Sequence, residues 1–122
     1  MGYHVVDPSD IDPFDGPGRD FRPVGRAIGL DTLGVNVVEA APGEQIPLAY
    51  HSHEKQEEGF YVVAGTLSVE TPEETYEVDD GEFFFVEPNS PHRAFVPEDA
   101  AGPVEVVAFG APSVDDVREY EA

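Results

Sequence analysis

Two histidines stand two residues apart in this sequence, and imidazole is a side chain that proteins commonly use to bind transition metals. The chain has four histidines in all, and the pair is His51-Ser52-His53. If the segment is a strand, its side chains alternate between faces, so both rings project from one face with Cα atoms about 6.6 Å apart. Two rings at that separation can bind one metal ion. The pair alone is a weak signal, because two exposed polar residues on a strand edge give the same pattern.

A carboxylate follows the histidine pair. Polar residues 54–57 predict a turn, and Glu58 then opens the most apolar segment of the chain. In an antiparallel hairpin the second strand begins near the end of the first, so we expect Glu58 to face the two histidines. A carboxylate at the head of an apolar face is costly unless it is neutralised, and a metal ion would neutralise it. Glu57 is the alternative ligand, but its parity points it away. By parity the residues on the face of Glu58 are Phe60, Val62 and Ala64.

A third candidate histidine follows the turn Pro88-Asn89-Ser90-Pro91. Asn89 can adopt a left-handed conformation there. His92 then opens a strand, sharing one face with Ala94 and Val96. A lone histidine after a turn is more often an ordinary surface residue, so the case for His92 depends on the other three candidates. We assign no role to His4.

The elements that would position these residues are short strands. Twelve prolines and twelve glycines interrupt short apolar runs along the whole chain, which is typical of an all-β domain. The predicted strands are Gly34–Ala40, Gly59–Ala64, Thr66–Glu70, Thr75–Val78, Glu82–Val86, His92–Val96 and Val104–Phe109. Seven short strands at close spacing favour a sandwich or a barrel.

The two ends of the chain differ from this body. Residues 1–25 predict an irregular N-terminal arm with a short strand at its ends, and residues 26–112 the β-barrel. Residues 113–122 predict a short C-terminal helix, capped by Ser113, with Asp115 and Asp116 in its first turn and Arg118 near its end. We expect one domain overall.

The composition restricts the possible functions. The chain has 122 residues, with 26 acidic and 6 basic ones, for a formal net charge of −20. Nucleic acids and anionic membranes require a basic face, so neither is an expected partner. The absence of cysteine excludes disulfides, thiolate zinc sites and cysteine nucleophiles. No apolar stretch reaches membrane-spanning length and no signal peptide is visible, so we expect a cytoplasmic protein.

The charge also indicates a cellular setting. On a protein of 122 residues with a net charge of −20, the carboxylates repel one another strongly in dilute buffer, and salt screens this repulsion. Such a surface is typical of proteins from salt-accumulating, halophilic cells. An ordinary acidic cytosolic protein is the alternative.

Two segments resemble the signatures of the cupin superfamily. The stretch from Gly43 to Gly65 resembles the first signature: Gly, His-x-His, four residues, Glu, six residues, Gly. The stretch from Gly81 to His92 resembles the second: Gly, a strand, Pro, a turn residue and His. The chain is identified as a single-domain (monocupin) member of haloarchaeal type. It departs from the usual pattern at positions other than the candidate ligands. The loop after Gly43 is two residues longer, and less common residues occur at Glu87, Asn89 and Val96.

The resemblance implies a cupin-type β-barrel, a double-stranded β-helix or jelly roll, with one divalent transition metal ion inside. The implied ligands are His51, His53, Glu58 and His92. Three imidazoles and one carboxylate suit Mn, Fe, Ni, Co, Cu or Zn better than Ca or Mg. A six-coordinate ion would keep two positions open for oxygen or substrate, whereas these four ligands would fill a tetrahedral zinc site. Candidate walls of a substrate pocket are Phe60, Val62, Phe83, Phe85 and Ala94.

The resemblance implies a metal-dependent enzyme, dioxygenase-like or isomerase-like, that acts on a small organic molecule. The alternative is a non-catalytic module that binds a small molecule or a metal. The glutamate and the absence of cysteine disfavour a thiol dioxygenase, and a quercetinase-like oxygenase stays open. A phosphosugar isomerase is disfavoured as well, because such enzymes need cations for the phosphate and are usually longer, whereas this chain has few cations. The nearest options are Arg22, Arg26, Lys55 and Arg93, and Arg93 should point outward.

The resemblance also implies a homodimer, because small cupins are commonly dimers. An apolar outer face of the barrel would need covering. The candidate residues for that face are Tyr61, Val63, Phe84 and Phe95.

Overall fold

The computed structural model describes residues 2–15, 18–46 and 50–121, and ten short strands account for most of its regular structure. The strands are β1 (Asp20–Arg22), β2 (Gly34–Ala40), β3 (His51–His53), β4 (Glu57–Ala64), β5 (Thr66–Glu70), β6 (Thr75–Asp79), β7 (Phe83–Val86), β8 (Arg93–Phe95), β9 (Val104–Ala111) and β10 (Val117–Glu119). One helical turn, α1 (Val24–Ala27), and a 3-10 turn over Pro8–Asp10 accompany them. No helix among the described residues is long and apolar enough to span a membrane.

The strands form two facing layers. One layer is a five-stranded antiparallel sheet in the order β1-β2-β9-β4-β7. The other consists of the three-stranded sheet β6-β5-β8 and the two-stranded sheet β10-β3. An isolated antiparallel bridge between His51 of β3 and His92, which precedes β8, joins these two smaller sheets, and a second bridge pairs Gln45 with Phe95 of β8. The result is the double-stranded β-helix that the resemblance implies.

The core lies between the layers and is built from alternate residues of each strand. In β9 every second residue is buried, from Val104 to Gly110, as expected for a strand with one face on the core. The largest fully buried side chains are Phe60, Leu67, His92, Val38, Val62, Val69, Val96, Val104 and Val106. His92 is therefore part of the barrel interior and not a surface residue.

All seven predicted strands are present, with ends within two residues of the predicted ones. The predicted left-handed conformation of Asn89 is confirmed, with φ of 63°. A short strand is present near the end of the N-terminal arm, as predicted: β1 forms the edge of the five-stranded sheet, where Phe21 lies opposite Val38. Ala64 does not share the buried face of Glu58, because a bulge between Val62 and Ala64 shifts the alternation.

The predicted C-terminal helix is wrong. Residues 117–119 form β10, which pairs antiparallel with β3 so that Val117 lies opposite His53 and Glu119 opposite His51. The Tyr120 ring also packs against that of Tyr50, with ring centroids 4.8 Å apart. So short a helix is marginal in water without packing. Pairing with β3 instead satisfies backbone groups on both segments.

Phe83 and Phe85, two of the candidate pocket walls, point out of the barrel interior. Residues opposite each other on neighbouring strands share a face. Phe84 lies opposite the buried Phe60, whereas Phe83 lies opposite Tyr61. Phe83 and Phe85 are therefore exposed, at 55% and 67%, and Phe84 packs against the core. The aromatic run Phe83-Phe84-Phe85 carries no alternation of polarity, so the sequence could not fix its register.

Candidate metal centre

The four candidate ligands lie inside the barrel, on three different segments. His51 and His53 belong to β3, Glu58 to β4, and His92 precedes β8. The three histidines are buried, and the Glu58 side chain is 17% exposed. The backbones of His51 and His92 exchange hydrogen bonds of 3.0 and 2.8 Å, which fixes these two rings side by side.

Glu58 reaches the histidines by a different route from the one expected. The sequence predicted a hairpin of β3 and β4, but β3 pairs with β10, while β4 pairs with β7 and β9 in the facing sheet. The carboxylate therefore approaches the imidazoles from the opposite layer. Parity still places Glu58 on the inner face, because it lies two residues before the buried Phe60.

The ligand atoms converge closely. Nε2 of His51 lies 3.2 Å from Nε2 of His53, and Nε2 of His92 lies 2.7 Å from Oε1 of Glu58. Oε1 of Glu58 is also 3.7 Å from Nε2 of His53. His51, Glu58 and His92 each offer a ligand atom within 4.8 Å of the other two. His53 and His92 flank the group, with ring centroids 6.4 Å apart.

Two of the imidazoles are held from behind by hydrogen-bond acceptors. Nδ1 of His92 donates to the carbonyl oxygen of Ser90 at 2.9 Å, and Nδ1 of His53 donates to Oδ1 of Asp116 at 2.7 Å. These oxygens only accept, so each ring carries its proton on Nδ1. A neutral ring then presents an unprotonated Nε2 to the centre. Such outer acceptors orient histidine ligands in metal sites.

Asp116 is fixed in turn by the backbone of the 54–57 turn. Its Oδ2 accepts hydrogen bonds from the N–H groups of Lys55 and Gln56, at 2.7 and 3.0 Å. Burial would raise the pKa of Asp116, but the hydrogen bonds from the Lys55 N–H, the His53 ring and the Gln56 N–H outweigh burial and lower the pKa to about 2. The residue is therefore a carboxylate at any physiological pH.

This donor set fits a transition metal ion. With nitrogen and oxygen ligands about 2.0–2.2 Å from the ion, neighbouring ligand atoms lie roughly 3–3.5 Å apart, close to the separations of 3.2 and 3.7 Å seen here. Glu58 and Nε2 of His92 are both acceptors when the imidazole is neutral. Two acceptors this close repel each other unless a positive charge neutralises them, so the pair suits a bound cation.

Glu58 lines a cavity of about 320 Å³ together with Phe85. It also lines two adjoining cavities, of about 400 and about 120 Å³. Phe60 lines the smaller one, whereas the other predicted pocket walls of the barrel interior, Val62 and Ala94, are fully buried in the core. A further cavity of about 510 Å³ reaches His92 from the β6 and β7 side, and Phe85 lies at its wall. Phe83 lines none of these four cavities.

Sequence reasoning missed three polar residues around this centre. Asp116 was assigned to a helix, and only its later pairing with His53 reveals its position. Arg19 and Asn36 both line the smaller cavity beside Glu58. Asn36 is a polar residue among valines in the predicted strand Gly34–Ala40, which is a signal that could have been used.

Residues 36–110 match the family model of the cupin domain, Cupin_2. The chain belongs to the cupin family. The matched part of this cupin contains all four candidate ligands, from His51 to His92. No curated protein sequence matches the chain.

Solved structures of other cupin-fold proteins are similar to this one. The sugar phosphate isomerase of the cupin superfamily from Silicibacter pomeroyi is 26% identical, with a TM-score of 0.68 over 77% of this chain and 59% of that one. The polyketide cyclase RemF from Streptomyces resistomycificus is 21% identical, with a TM-score of 0.80 over 99% and 87% of the two chains. A variant of Streptomyces PAC13, in a structure with uridine, is 20% identical, with a TM-score of 0.75 over 99% and 93%.

These likenesses differ in extent. This cupin spans under two thirds of the length of the Silicibacter isomerase and of a second sugar phosphate isomerase, from Acidithiobacillus ferrooxidans. It matches RemF and PAC13 over almost its entire length. The likeness to RemF and PAC13 shows the fold alone, since one fold supports many activities.

Proposed function

We propose that this cupin is a metal-dependent enzyme, dioxygenase-like or isomerase-like, that acts on a small organic molecule. One divalent transition metal ion, from among Mn, Fe, Ni, Co, Cu and Zn, would be held by His51, His53, Glu58 and His92. The observation that carries the proposal is the convergence of three imidazole Nε2 atoms on one carboxylate. Two of those imidazoles already have their outer nitrogen engaged.

The chain's own residues supply a defined part of the chemistry. The bound ion would polarise an oxygen of the substrate or of O₂ that coordinates it. His53 and His92 are held as neutral ligands by Asp116 and by the Ser90 carbonyl. Glu58 lies at the cavity wall, where its carboxylate can also accept a proton from a substrate. Phe21 and Phe60 form part of the apolar wall beside that carboxylate.

The structural neighbours support a reaction on a small molecule and leave the reaction type open. They include proteins described as a sugar phosphate isomerase, a polyketide cyclase and a predicted oxalate decarboxylase. The oxalate decarboxylase neighbour, from Thermotoga maritima, is 16% identical and has a TM-score of 0.74. Both an isomerase-like and an oxygenase-like reaction need a coordination position on the metal that the protein's own ligands leave open.

One observation favours the alternative of a non-catalytic binding module. The spacings of 3.2 and 3.7 Å between ligand atoms also suit a tetrahedral ion. Four protein ligands would then complete the shell of a zinc ion. The site would hold the metal with no position for a substrate.

The coordination number of Co²⁺ in the substituted protein separates the two proposals. Tetrahedral Co²⁺ absorbs visible light far more strongly than six-coordinate Co²⁺, because only the latter has a centre of symmetry or nearly so. An enzyme with open positions gives weak bands that change when a small chelating anion such as acetohydroxamate is added. Strong bands that are unaffected by the anion contradict the enzyme and support the closed binding module.

We also propose that the protein acts in the cytoplasm of a salt-accumulating, halophilic cell. The support is the net charge of −20, spread over 26 acidic and only 6 basic residues. At about 1 M salt the Debye length falls to roughly 3 Å, which removes most of the repulsion between these carboxylates. The corresponding test is the dependence of stability on salt described in the Discussion.

We propose further that two copies pair as a homodimer through one face of the barrel. Among the predicted residues of that face, Tyr61 and Val63 point outward, whereas Phe84 points inward. The outward aromatic cluster consists of Tyr61, Phe83, Phe85 and Phe109, with ring centroids 4.6–6.3 Å apart. None of these four residues is charged, so two such faces can meet without bringing carboxylates together.

A further inference from the structure

Two of the six basic residues lie where the proposed substrate would bind. Arg19 lines the cavity of about 120 Å³ and Arg26 the adjoining cavity of about 400 Å³. Phe21, Asn36 and Glu58 line both cavities. The chain has only 6 basic residues and a net charge of −20. Two arginines at one site are therefore not expected if the basic residues were simply spread over the surface.

The other arginines are engaged with carboxylates. Within residues 2–15, 18–46 and 50–121, Arg22 pairs with Asp20, Arg93 with Glu70 and Arg118 with Glu54. No such ion pair within 4 Å is found in the described chain for Arg19 or Arg26. The exposed Lys55 also forms no ion pair within 4 Å among the described residues, but it lines neither of the two cavities. The unpaired arginines are thus the two that line the cavities with Glu58.

Arg19 is held in a fixed position while most of its donors stay available. Its Nε donates to the carbonyl oxygen of Ile46 at 2.7 Å, and its guanidinium lies over the Phe21 ring, 5.0 Å from the centroid. Guanidinium has five N–H donors, and the hydrogen bonds recorded in the described residues use only the one on Nε. Burial lowers the pKa of Arg19, and the nearby Glu44 carboxylate opposes that shift. A partly buried cation of this kind is stabilised by an anionic partner.

We propose that the substrate is a small organic anion, a carboxylate or a phosphate ester, whose oxyanion binds Arg19 while another part faces Glu58. This inference rests on the proposed function. Guanidinium binds both kinds of oxyanion through paired hydrogen bonds, so the shared chemistry is that of the anion. A divalent ion held by three neutral imidazoles and one carboxylate keeps one net positive charge, which favours an anion at the same site. Asp31 also lines the larger cavity beside Arg26, whereas Glu58 is the only carboxylate in the described part of the chain that lines the smaller one with Arg19.

Isothermal titration of the Co²⁺-loaded chain with three probes tests the proposal. The probes are benzoate, phenyl phosphate and the neutral benzamide, all at one salt concentration. We expect at least one of the anions to bind more than about tenfold tighter than benzamide. Arg19→Gln should weaken that anion about 10- to 100-fold and leave benzamide unchanged, since it removes a charge-assisted hydrogen bond. The anion whose affinity falls in Arg19→Gln shows whether the substrate is a carboxylate or a phosphate ester.

Three comparisons make the result specific. Arg118→Gln removes the same charge from an exposed residue outside the cavities and should leave anion affinity unchanged. Arg19→Lys keeps the charge but loses the planar fork, so it should recover only part of the affinity. Unchanged Co²⁺ affinity in Arg19→Gln shows that the variant is folded. Equal affinity for anions and benzamide, or an Arg19→Gln effect no larger than that of Arg118→Gln, overturns the inference.

The same titrations separate this inference from the proposed function. If the wild-type chain does not bind Co²⁺, the proposed metal site fails. If Co²⁺ binds normally but anion binding does not depend on Arg19, the inference about the substrate fails and the metal site stands.

Discussion

Replacing Asp116 by asparagine should weaken metal binding without touching any proposed ligand. Asp116 accepts hydrogen bonds on both oxygens, from His53 on one side and from the Lys55 and Gln56 N–H groups on the other. Asparagine has only one acceptor oxygen. Its amide group must therefore direct N–H donors either at the His53 ring or at the two backbone N–H groups.

The backbone side has two donors, so the asparagine oxygen should face it and the amide N–H should face His53. Nδ1 of His53 then has to accept, which moves the ring proton to Nε2, the atom that faces the metal. Loss of comparable outer partners typically lowers metal affinity about 10- to 100-fold. We expect a change of that size in the Kd for Zn²⁺ or Co²⁺, measured by competition with a chromophoric chelator.

Asp115→Asn is the matched control, because Asp115 is an exposed neighbour and the variant makes the same change in charge. Long-range ¹H–¹⁵N spectra of the metal-free protein report the tautomer directly. They should show His53 protonated on Nδ1 in the wild type and on Nε2 in Asp116→Asn. A metal affinity within twofold of the wild type, or an unchanged His53 tautomer, would refute the reasoning.

Four further predictions concern the ligand, the fold, the salt and the dimer. Glu58→Gln should reduce metal affinity much more than Glu57→Gln, as measured by the same competition; equal effects would contradict the assignment of the carboxylate. Gly65→Ala should lower the free energy of unfolding by about 1–3 kcal/mol in denaturant titrations, because a Cβ at φ of 89° would lie 2.5 Å from the Pro103 oxygen. Gly102→Ala, with open space around it, should have little effect. Tm should rise steeply between 0.1 and 2 M KCl, and a flat profile would contradict the salt-adapted proposal. Phe85→Ser should shift light scattering from dimer to monomer, and a wild-type monomer in high salt removes the dimer proposal.

Much of the site could be predicted from the sequence because the relevant patterns are local. Parity along β4 places Glu58 on the face of Phe60, and the same rule places His92 with Ala94. The turn before His92 has a residue suited to positive φ at Asn89. These features depend only on residues that are close together in the chain, so they can be predicted from the sequence.

The features that were missed depend on contacts between distant parts of the chain. The partner of β3 is β10, more than sixty residues away, and not the adjacent β4. Asp116 reaches His53 only because of that pairing. The charged C-terminal segment has the local composition of a capped helix, and nothing in it reveals a partner strand. Arg19 likewise enters the cavity only through the pairing of β1 with β2.

Metal analysis of protein purified in high salt without chelators tests the central claim most directly. Mass spectrometry of the acid-digested wild type should find close to one divalent transition metal ion per chain. His51→Ala should lose most of it while staying folded, as judged by its β-sheet circular dichroism. A wild type that takes up no metal, or a His51→Ala variant that retains a full equivalent, would contradict the account.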